Sequence, residues 1–456
     1  MESACKITPA LTHEEYNKKT RGNKGGTTIQ TFIPRSIRDV FEHIETATNP
    51  DTGMDEAVSF LNGYRLSSVF QPIFSFAHAR PVGHEALVRA TDPDGQSISP
   101  IDLFSRATGR EEIVTLDRLC RAMHVRNFSM WAPENTWLFL NVMPDAAVEG
   151  ARSYPFFSEM LNRVGVSPHS IVIEMLEHSI ADESAFHQVV QYYRNIGCLL
   201  AVDDFGTGAS NFHRIWDMRP DIVKFDRSIT VKSAKRDFVR RSLPGLVSLL
   251  HETGSLILME GIETRDEALV AMHSDVDMLQ GYYFSKPAPR GEDKGGSLFF
   301  PADLIGLERN EMRVTTPYSG VELHQLKDLF LESARVIENG EHFKNAVFRL
   351  LGSSGVARCY MLDSSGQQLK GNMVSRLAPK GPDARFDPLM SAKGANWMRR
   401  PYFQRAMARP GELQISRPYL SLTGSHMTVT LSQAFSCAGE ASVFCCDLDW
   451  EWLSQN

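Results

Sequence analysis

The stretch Leu199-Leu200-Ala201-Val202-Asp203-Asp204-Phe205-Gly206-Thr207-Gly208 sets an apolar run directly against two adjacent carboxylates and a glycine-rich turn. Four apolar residues bounded by turn formers have the length of a short buried strand, and the acids fall where that strand would end. The same arrangement recurs along the chain. Glu85 opens Glu85-Ala86-Leu87-Val88-Arg89, Glu174 follows Ile171-Val172-Ile173 in Glu174-Met175-Leu176-Glu177, and Glu260 follows Leu256-Ile257-Leu258-Met259 in a run that closes on Glu263. Asn141 closes Trp137-Leu138-Phe139-Leu140, and Lys224 follows Ile222-Val223.

The intervals carry the fold. From Glu85 to Asn141 is 56 residues, then 33 to Glu174, 29 to Asp203, 21 to Lys224 and 36 to Glu260. Each step approximates one strand plus one helix, or two for the longest, which is how successive βα units of a barrel deliver side chains to its C-terminal mouth. The expected class is α/β: a (β/α)8 TIM-like barrel followed by a smaller α+β domain. Phe70, Phe139 and Phe225 read as barrel packing, and Gly206 and Gly208 as turn residues.

Composition sets wider bounds. A chain of 456 residues with 42% hydrophobic content has room for two cores. A formal charge of −7 argues against a DNA- or RNA-polymer-binding surface but leaves room for a small anionic substrate held by metal ions. The seven cysteines (5, 120, 198, 359, 437, 445 and 446) make no C-x-x-C pair, no secretory apolar region follows the polar start, and no apolar run approaches a membrane span. A cytoplasmic chain with free thiols is the matching expectation.

Residues 1–54 read as a flexible N-terminal extension, with Lys18-Lys19-Thr20-Arg21-Gly22-Asn23-Lys24-Gly25-Gly26 charged and glycine-rich. Residues 55–305 carry the strand and helix alternation of the barrel. Residues 306–351 read as a helical connector, because Val321, Leu323, Leu326, Leu329, Phe330, Ala334, Val336 and Ile337 recur at helical spacing up to a break at Gly340. Residues 352–456 turn to β character, in Cys359 to Leu369, Thr428 to Leu431 and Ser442 to Phe444.

Acids and amides gathered at one mouth repel unless cations intervene. An oxygen-only donor set without His or Cys favours two Mg2+ or Mn2+ ions over zinc. Such pairs of ions serve in-line phosphoryl displacement, so phosphodiester hydrolysis is the inferred chemistry. In it Lys224 stabilises the phosphate or the nucleophilic water, and Glu260 binds an ion or accepts the water's proton.

Glu85-Ala86-Leu87, Asn141, Glu174-x-x-Glu177, Asp203-Asp204-Phe205-Gly206-Thr207-Gly208, Lys224, Glu260-Gly261-x-Glu263 and Gln280-Gly281-Tyr282 together resemble the EAL-domain cyclic di-GMP phosphodiesterases of bacteria, over about residues 65 to 290. The resemblance implies an EAL-type barrel, cyclic di-GMP as substrate, linear pGpG as product and a homodimer. It implies that Glu85, Asn141, Glu174 and Asp203 ligate one ion and that Asp203, Asp204 and Glu260 surround the other. It further implies that Lys224 holds the attacking water, that Glu177 anchors the loop starting at Asp203, and that Arg89, Gln280 and Glu263 meet the substrate. Leu176, Asn211 and Met259 depart from the family's usual Thr, Ser and Ala, which bears on loop regulation and leaves every implied ligand in place.

Downstream, Trp397-Met398-Arg399-Arg400-Pro401-Tyr402-Phe403, Ser416-Arg417-Pro418-Tyr419-Leu420-Ser421 and Asp447-Leu448-Asp449 resemble a PAS/Cache-like regulatory domain. On that resemblance Arg400, Tyr402, Tyr419 and Asp447 line a small-ligand pocket. Two other functions stay open on the residues alone: a catalytically silent cyclic di-GMP receptor that signals through its tail, and a phosphodiesterase acting on another nucleotide.

Overall fold

The computed structural model describes residues 36–49, 53–107, 109–153, 156–176, 180, 182–206, 212–289, 321–378, 384–389, 394–422, 424, 426–437 and 440–455. The chain divides into two compact units, the first holding residues up to 72 and 83–200, the second 73–82, 201–286 and the whole tail.

In the first unit the elements run α1 (Ile37–Glu42), β1 (Ile44–Thr48), β2 (Asp55–Leu61), β3 (Tyr64–Ser75), β4 (Arg80–Thr91), β5 (Ser97–Ile98), α2 (Pro100–Ser105), α3 (Arg110–Ser129), β6 (Trp137–Asn141), α4 (Pro144–Ser153), α5 (Phe156–Val164), β7 (Ile171–Leu176), α6 (Glu183–Ile196) and the start of β8 (Leu199–Phe205). Strands β4, β6 and β7 pair in parallel. Parallel strands covered by helices are buried on both faces, which is why Trp137, Leu138, Phe139 and Leu140 form an unbroken apolar run at 0% exposure. Asp182 caps α6 by accepting from the Ala185 amide, and Gly197 ends that helix at φ +100°, a conformation that suits a residue without Cβ.

Residues 37–48 differ from the irregular extension expected through residue 54. They form α1 and β1, with Ile37, Val40 and Ile44 buried and β1 paired antiparallel along β2. The signal is weak in sequence because β1 alternates polar and small residues at the outer edge of the ladder, where only one side is covered.

The second unit continues β8 and adds α7 (Phe212–Met218), β9 (Ile222–Phe225), α8 (Arg227–Lys235), α9 (Asp237–Glu252), β10 (Leu256–Met259), α10 (Arg265–His273) and β11 (Met278–Leu279). Strands β8 to β11 pair in parallel, and β11 runs antiparallel to the end of β3. The hydrogen-bonded order β3-β11-β10-β9-β8-β7-β6-β4, with β3 also pairing β4, is the cyclic order of an eight-stranded α/β barrel. Phe70, Phe139 and Phe225 are buried at 0–1% exposure.

The tail follows with α11 (Val321–Glu338), α12 (Phe343–Ala346), α13 (Phe348–Leu351), β12 (Val356–Asp363), β13 (Met373–Val374), α14 (Pro401–Ala408), β14 (Gln414–Ile415), β15 (Tyr419–Leu420), β16 (Met427–Cys437), β17 (Glu440–Asp449) and α15 (Trp450–Gln455). Its antiparallel sheet has the order β13-β12-β17-β16-β14, with β15 beside β16. The stretch read as a connector is part of this core: Leu323, Leu326, Phe330, Ala334 and Ile337 pack on Cys446, Leu448, Val429 and Phe444. The Phe330 and Phe444 rings stack 4.5 Å apart. The expected break is present, with Gly340 at φ +88° and the Glu341 amide donating back to the Val336 carbonyl. Adjacent Cys445 and Cys446 are both buried on β17, and Cys359 lies across from Cys446 without a disulfide. No helix among the described residues is long and apolar enough to cross a membrane.

Within this unit Asp277, immediately before β11, is buried and receives hydrogen bonds from His251 Nε2 (2.8 Å), the Ile257 amide of β10 (2.8 Å) and the Arg400 guanidinium (2.8 Å). Burial alone raises a carboxyl's pKa, but the charges of His251 and Arg400 and the hydrogen bonds outweigh it and hold Asp277 down at about 2. A folded pKa below the ordinary 3.8 contributes stability that is present above about pH 4 and is lost as pH falls through about 2. Asp277→Asn is expected to cost about 3–5 kcal/mol at pH 7, since it removes the nearer of the two carboxylates that compensate buried Arg400. Urea unfolding at pH 7, 4 and 2 checks this, with the gap from the parent chain narrowing toward pH 2.

Candidate active site

Register places the first group of candidates. In the parallel ladder Glu85 is level with Phe139, and Asn141, two residues beyond Phe139, is level with Glu174. Side chains of one register row, and those two residues apart, share a face, so Glu85 in the middle of β4, Asn141 at the end of β6 and Glu174 in β7 project from the same face. The Asn141 amide donates to Glu85 Oε1 at 3.0 Å, and Glu174 is 1% exposed. Just past β6, the backbone amide of Met143 donates to the buried carboxylate of Asp117 on α3.

The second group gathers around Lys224. Between the pairs Val202–Val223 and Phe205–Phe225, two residues of β8, Asp203 and Asp204, face the single Lys224 of β9. This bulge re-aims the strand end, and Asp204 takes φ +57° in it. Lys224, 1% exposed, places Nζ 3.0 Å from Asp203 and 2.6 Å from Glu260, whose backbone continues β10. The Thr230 hydroxyl of α8 donates to the Glu260 carbonyl at 2.6 Å, fixing that backbone from behind.

Glu263 is exposed and paired with Arg227 at 2.7 Å, and its amide donates to Glu267, half of the Thr264–Glu267 capping box that opens α10. Gln280 is buried directly after β11, with its amide donating to the Met259 carbonyl and its carbonyl accepting from the Ile262 amide. Arg89 donates to the neighbouring Val88 carbonyl. Asp226 caps α8 through the Ser228 amide. Glu177 and Asn211 lie outside the described residues; Leu176 is 46% exposed at the end of β7, and Met259 is buried in β10.

The donor set is oxygen-only, which suits a hard divalent cation. Among the described residues no three His, Cys, Asp or Glu side chains are grouped closely enough to hold a metal ion. The Lys224 ammonium is the cation that lies between Asp203 and Glu260 here. In the tail, Arg400, Tyr402 and Tyr419 do line one cavity with Arg358, Tyr360 and Trp397. Its volume is about 10 Å³, room for about one water. Asp447 sits behind it and is occupied by Arg358 (2.7 Å) and Thr430 (2.7 Å).

Thr230 is not legible in the sequence as a site residue, since a lone threonine inside a helix carries no signature. The Thr264-x-x-Glu267 capping box that orders Glu263 is readable from spacing alone.

The family model described as EAL domain matches residues 55–287, about half of the chain. The "Probable cyclic di-GMP phosphodiesterase PdeB" of Escherichia coli K12 is 28% identical over 224 residues, which are 48% of this chain and 42% of that protein. The "Uncharacterized EAL-domain containing protein YkuI" of Bacillus subtilis 168 is 26% identical over 392 residues, 80% of this chain and 90% of that protein. A crystal structure of the Bacillus subtilis YkuI protein, with an EAL domain, in complex with substrate c-di-GMP and calcium, aligns at a TM-score of 0.47 and 22% identity over 84% of this chain and 96% of that one. The chain thus spans less than half the length of PdeB and most of YkuI.

Substitutions at two positions probe the site's backbone. A Cβ on Gly281 would collide with the Ile262 main chain, so Gly281→Ala is expected to destabilise by roughly 2–4 kcal/mol. Thr230→Val leaves the Glu260 carbonyl short of its donor and is expected to cost about 1–3 kcal/mol, whereas Thr230→Ser keeps the bond. Denaturant midpoints of the three variants measure both effects.

Proposed function

The chain belongs to the EAL-domain family, and on that premise we propose that it hydrolyses cyclic di-GMP to linear pGpG. The observation that carries the reading is the buried Lys224 ammonium held by Asp203 and Glu260 at adjoining strand ends. An ammonium at such low exposure is positioned to orient a water and to meet the charge that grows on a phosphate under attack. Water adds to phosphorus, the bond to one 3′ oxygen breaks, and the ring opens to a 5′-phosphate and a free 3′-hydroxyl. Lys224 holds the attacking water, Glu260 takes its proton, and the leaving oxygen is reprotonated from solvent.

Two Mg2+ or Mn2+ ions would be held by Glu85, Asn141, Glu174 and Asp203 and by Asp203, Asp204 and Glu260, and when bound they acidify water and neutralise phosphate. Arg89, Gln280 and Glu263 are assigned to the substrate rim and Glu177 to anchoring the loop after Asp203. The tail is assigned a regulatory role and the chain a homodimeric state, measurable by light scattering. PdeB is named a probable cyclic di-GMP phosphodiesterase, which favours this substrate over other nucleotides.

The test is turnover of cyclic di-GMP by the full chain with Mg2+ or Mn2+, with products resolved by chromatography. Glu85→Gln is expected to lower kcat by roughly 100-fold or more, and chelator to abolish turnover. Lys224→Ala is expected to depress kcat far more than it raises KM. Tight binding of cyclic di-GMP without turnover identifies a receptor instead; full activity in excess chelator overturns the metal-dependent mechanism.

A further inference from the structure

Polar links between described tail residues and the barrel part of the second unit differ in burial. Arg417 meets Glu252 at 3.0 Å with both side chains at least 35% exposed, a pair of the kind that contributes little. Arg385 approaches Asp221 at 3.4 Å, the Asn396 amide donates to the Ala77 carbonyl, and Arg80 donates to the Pro388 carbonyl. Arg400 is the deeply buried charge among them, 7% exposed, against Asp277 at 2.8 Å and Asp275 at 3.8 Å.

Asp277 is no ordinary docking partner. Its carboxylate accepts from the Ile257 amide and its own amide donates to the Ile257 carbonyl at 2.9 Å, so one residue pins β10 to β11 before their first register pair, Leu258 with Met278. The next pair is Met259 with Leu279, and the residues after it are Glu260 and Gln280. Three residues of extended chain, about 10 Å, separate the pin at Ile257 from Glu260. Over that distance a paired strand is stiff, and a change in how Asp277 grips Ile257 is transmitted to both strand ends. Arg400 is itself fixed from the tail side: its amide donates to the Trp397 carbonyl, it precedes Pro401 at the start of α14, and its guanidinium lies 5.5 Å from the Tyr419 ring.

We infer that Arg400 is a positioning residue for the barrel, holding the C-terminal ends of β10 and β11, and with them Glu260 and Gln280, through its grip on Asp277. Without Arg400 the buried carboxylate keeps His251 and the Ile257 amide but has lost a charged partner, and it relaxes toward whatever solvent reaches it. The tail thereby acts on the far ends of two strands through their near ends. The kinetic arm of its test rests on the hydrolase reading; the exchange arm does not.

The experiment compares Arg400→Gln, Arg400→Lys and the exposed-pair control Arg417→Gln in the full chain, at a temperature where each is folded by circular dichroism. Amide exchange of Ile257, Met259 and Leu279 is expected to rise roughly tenfold in Arg400→Gln, with β6 and β7 unchanged and with Arg417→Gln like the parent chain. Turnover of cyclic di-GMP is expected to lose about fivefold or more in kcat in Arg400→Gln, with about half of each effect remaining in Arg400→Lys. Should Arg400→Gln fail to fold, the lysine variant decides alone: exchange raised only in β10 and β11 supports the inference, and a uniform rise or none overturns it. A folded Arg400→Gln with parental exchange and parental kcat and KM also overturns it, leaving Arg400 as a docking contact. If the parent chain does not turn over cyclic di-GMP, the hydrolase reading fails while the exchange pattern still decides the role of Arg400.

Discussion

A lysine ammonium at 1% exposure between two carboxylates constrains everything around it. An isolated ammonium taken out of water costs several kcal/mol, so the fold must deliver its partners at hydrogen-bond distance or lose the charge. Three neighbouring strands do this. The bulge in β8 turns Asp203 and Asp204 toward β9, Lys224 comes from β9 itself, and Glu260 continues β10. The surrounding backbone is held to match, by the Thr230 hydroxyl on the Glu260 carbonyl and by the close approach of Gly281 to Ile262. The outcome is a charge cluster whose geometry is set by the backbone that carries it.

A second buried pairing answers the first from the opposite ends of the strands. Asp277 and Arg400 link the start of β11 to the tail, and the tail shares a compact unit with the later barrel strands. The helix α11 is likewise built into the tail sheet through Phe330 and Phe444 rather than serving as a free tether. A mechanical connection between tail and barrel therefore runs through charge compensation, and the tail cavity, with space for one water, is packed by its own arginines and tyrosines.

Much of the site is legible in the order of residues alone. The apolar runs that lead to Asn141, Glu174, Asp203, Lys224 and Glu260 are the strands β6, β7, β8, β9 and β10, because burial on both faces of a parallel sheet leaves a continuous apolar signature, while Glu85 opens its run inside β4. Gly206 at φ +103° and the break at Gly340 are equally readable, since a left-handed residue favours glycine. The edge strand β1 is not, because half-covered alternation in five residues resembles loop. The Arg400–Asp277 contact joins residues 123 apart, and no local pattern pairs one with the other.

The sequence by itself determined the order of strands and helices, the residue types at the strand ends and the oxygen-only character of the site, because those follow from periodicity and side-chain chemistry along the chain. Tertiary structure alone decided which of those groups meet: that Lys224 takes Asp203 and Glu260, that Glu263 turns to Arg227, and that a tail arginine closes on a barrel aspartate. The reason is that a buried charge is tolerated only where its partners converge in space, and convergence depends on register, bulges and packing between distant segments, which no stretch of chain encodes alone.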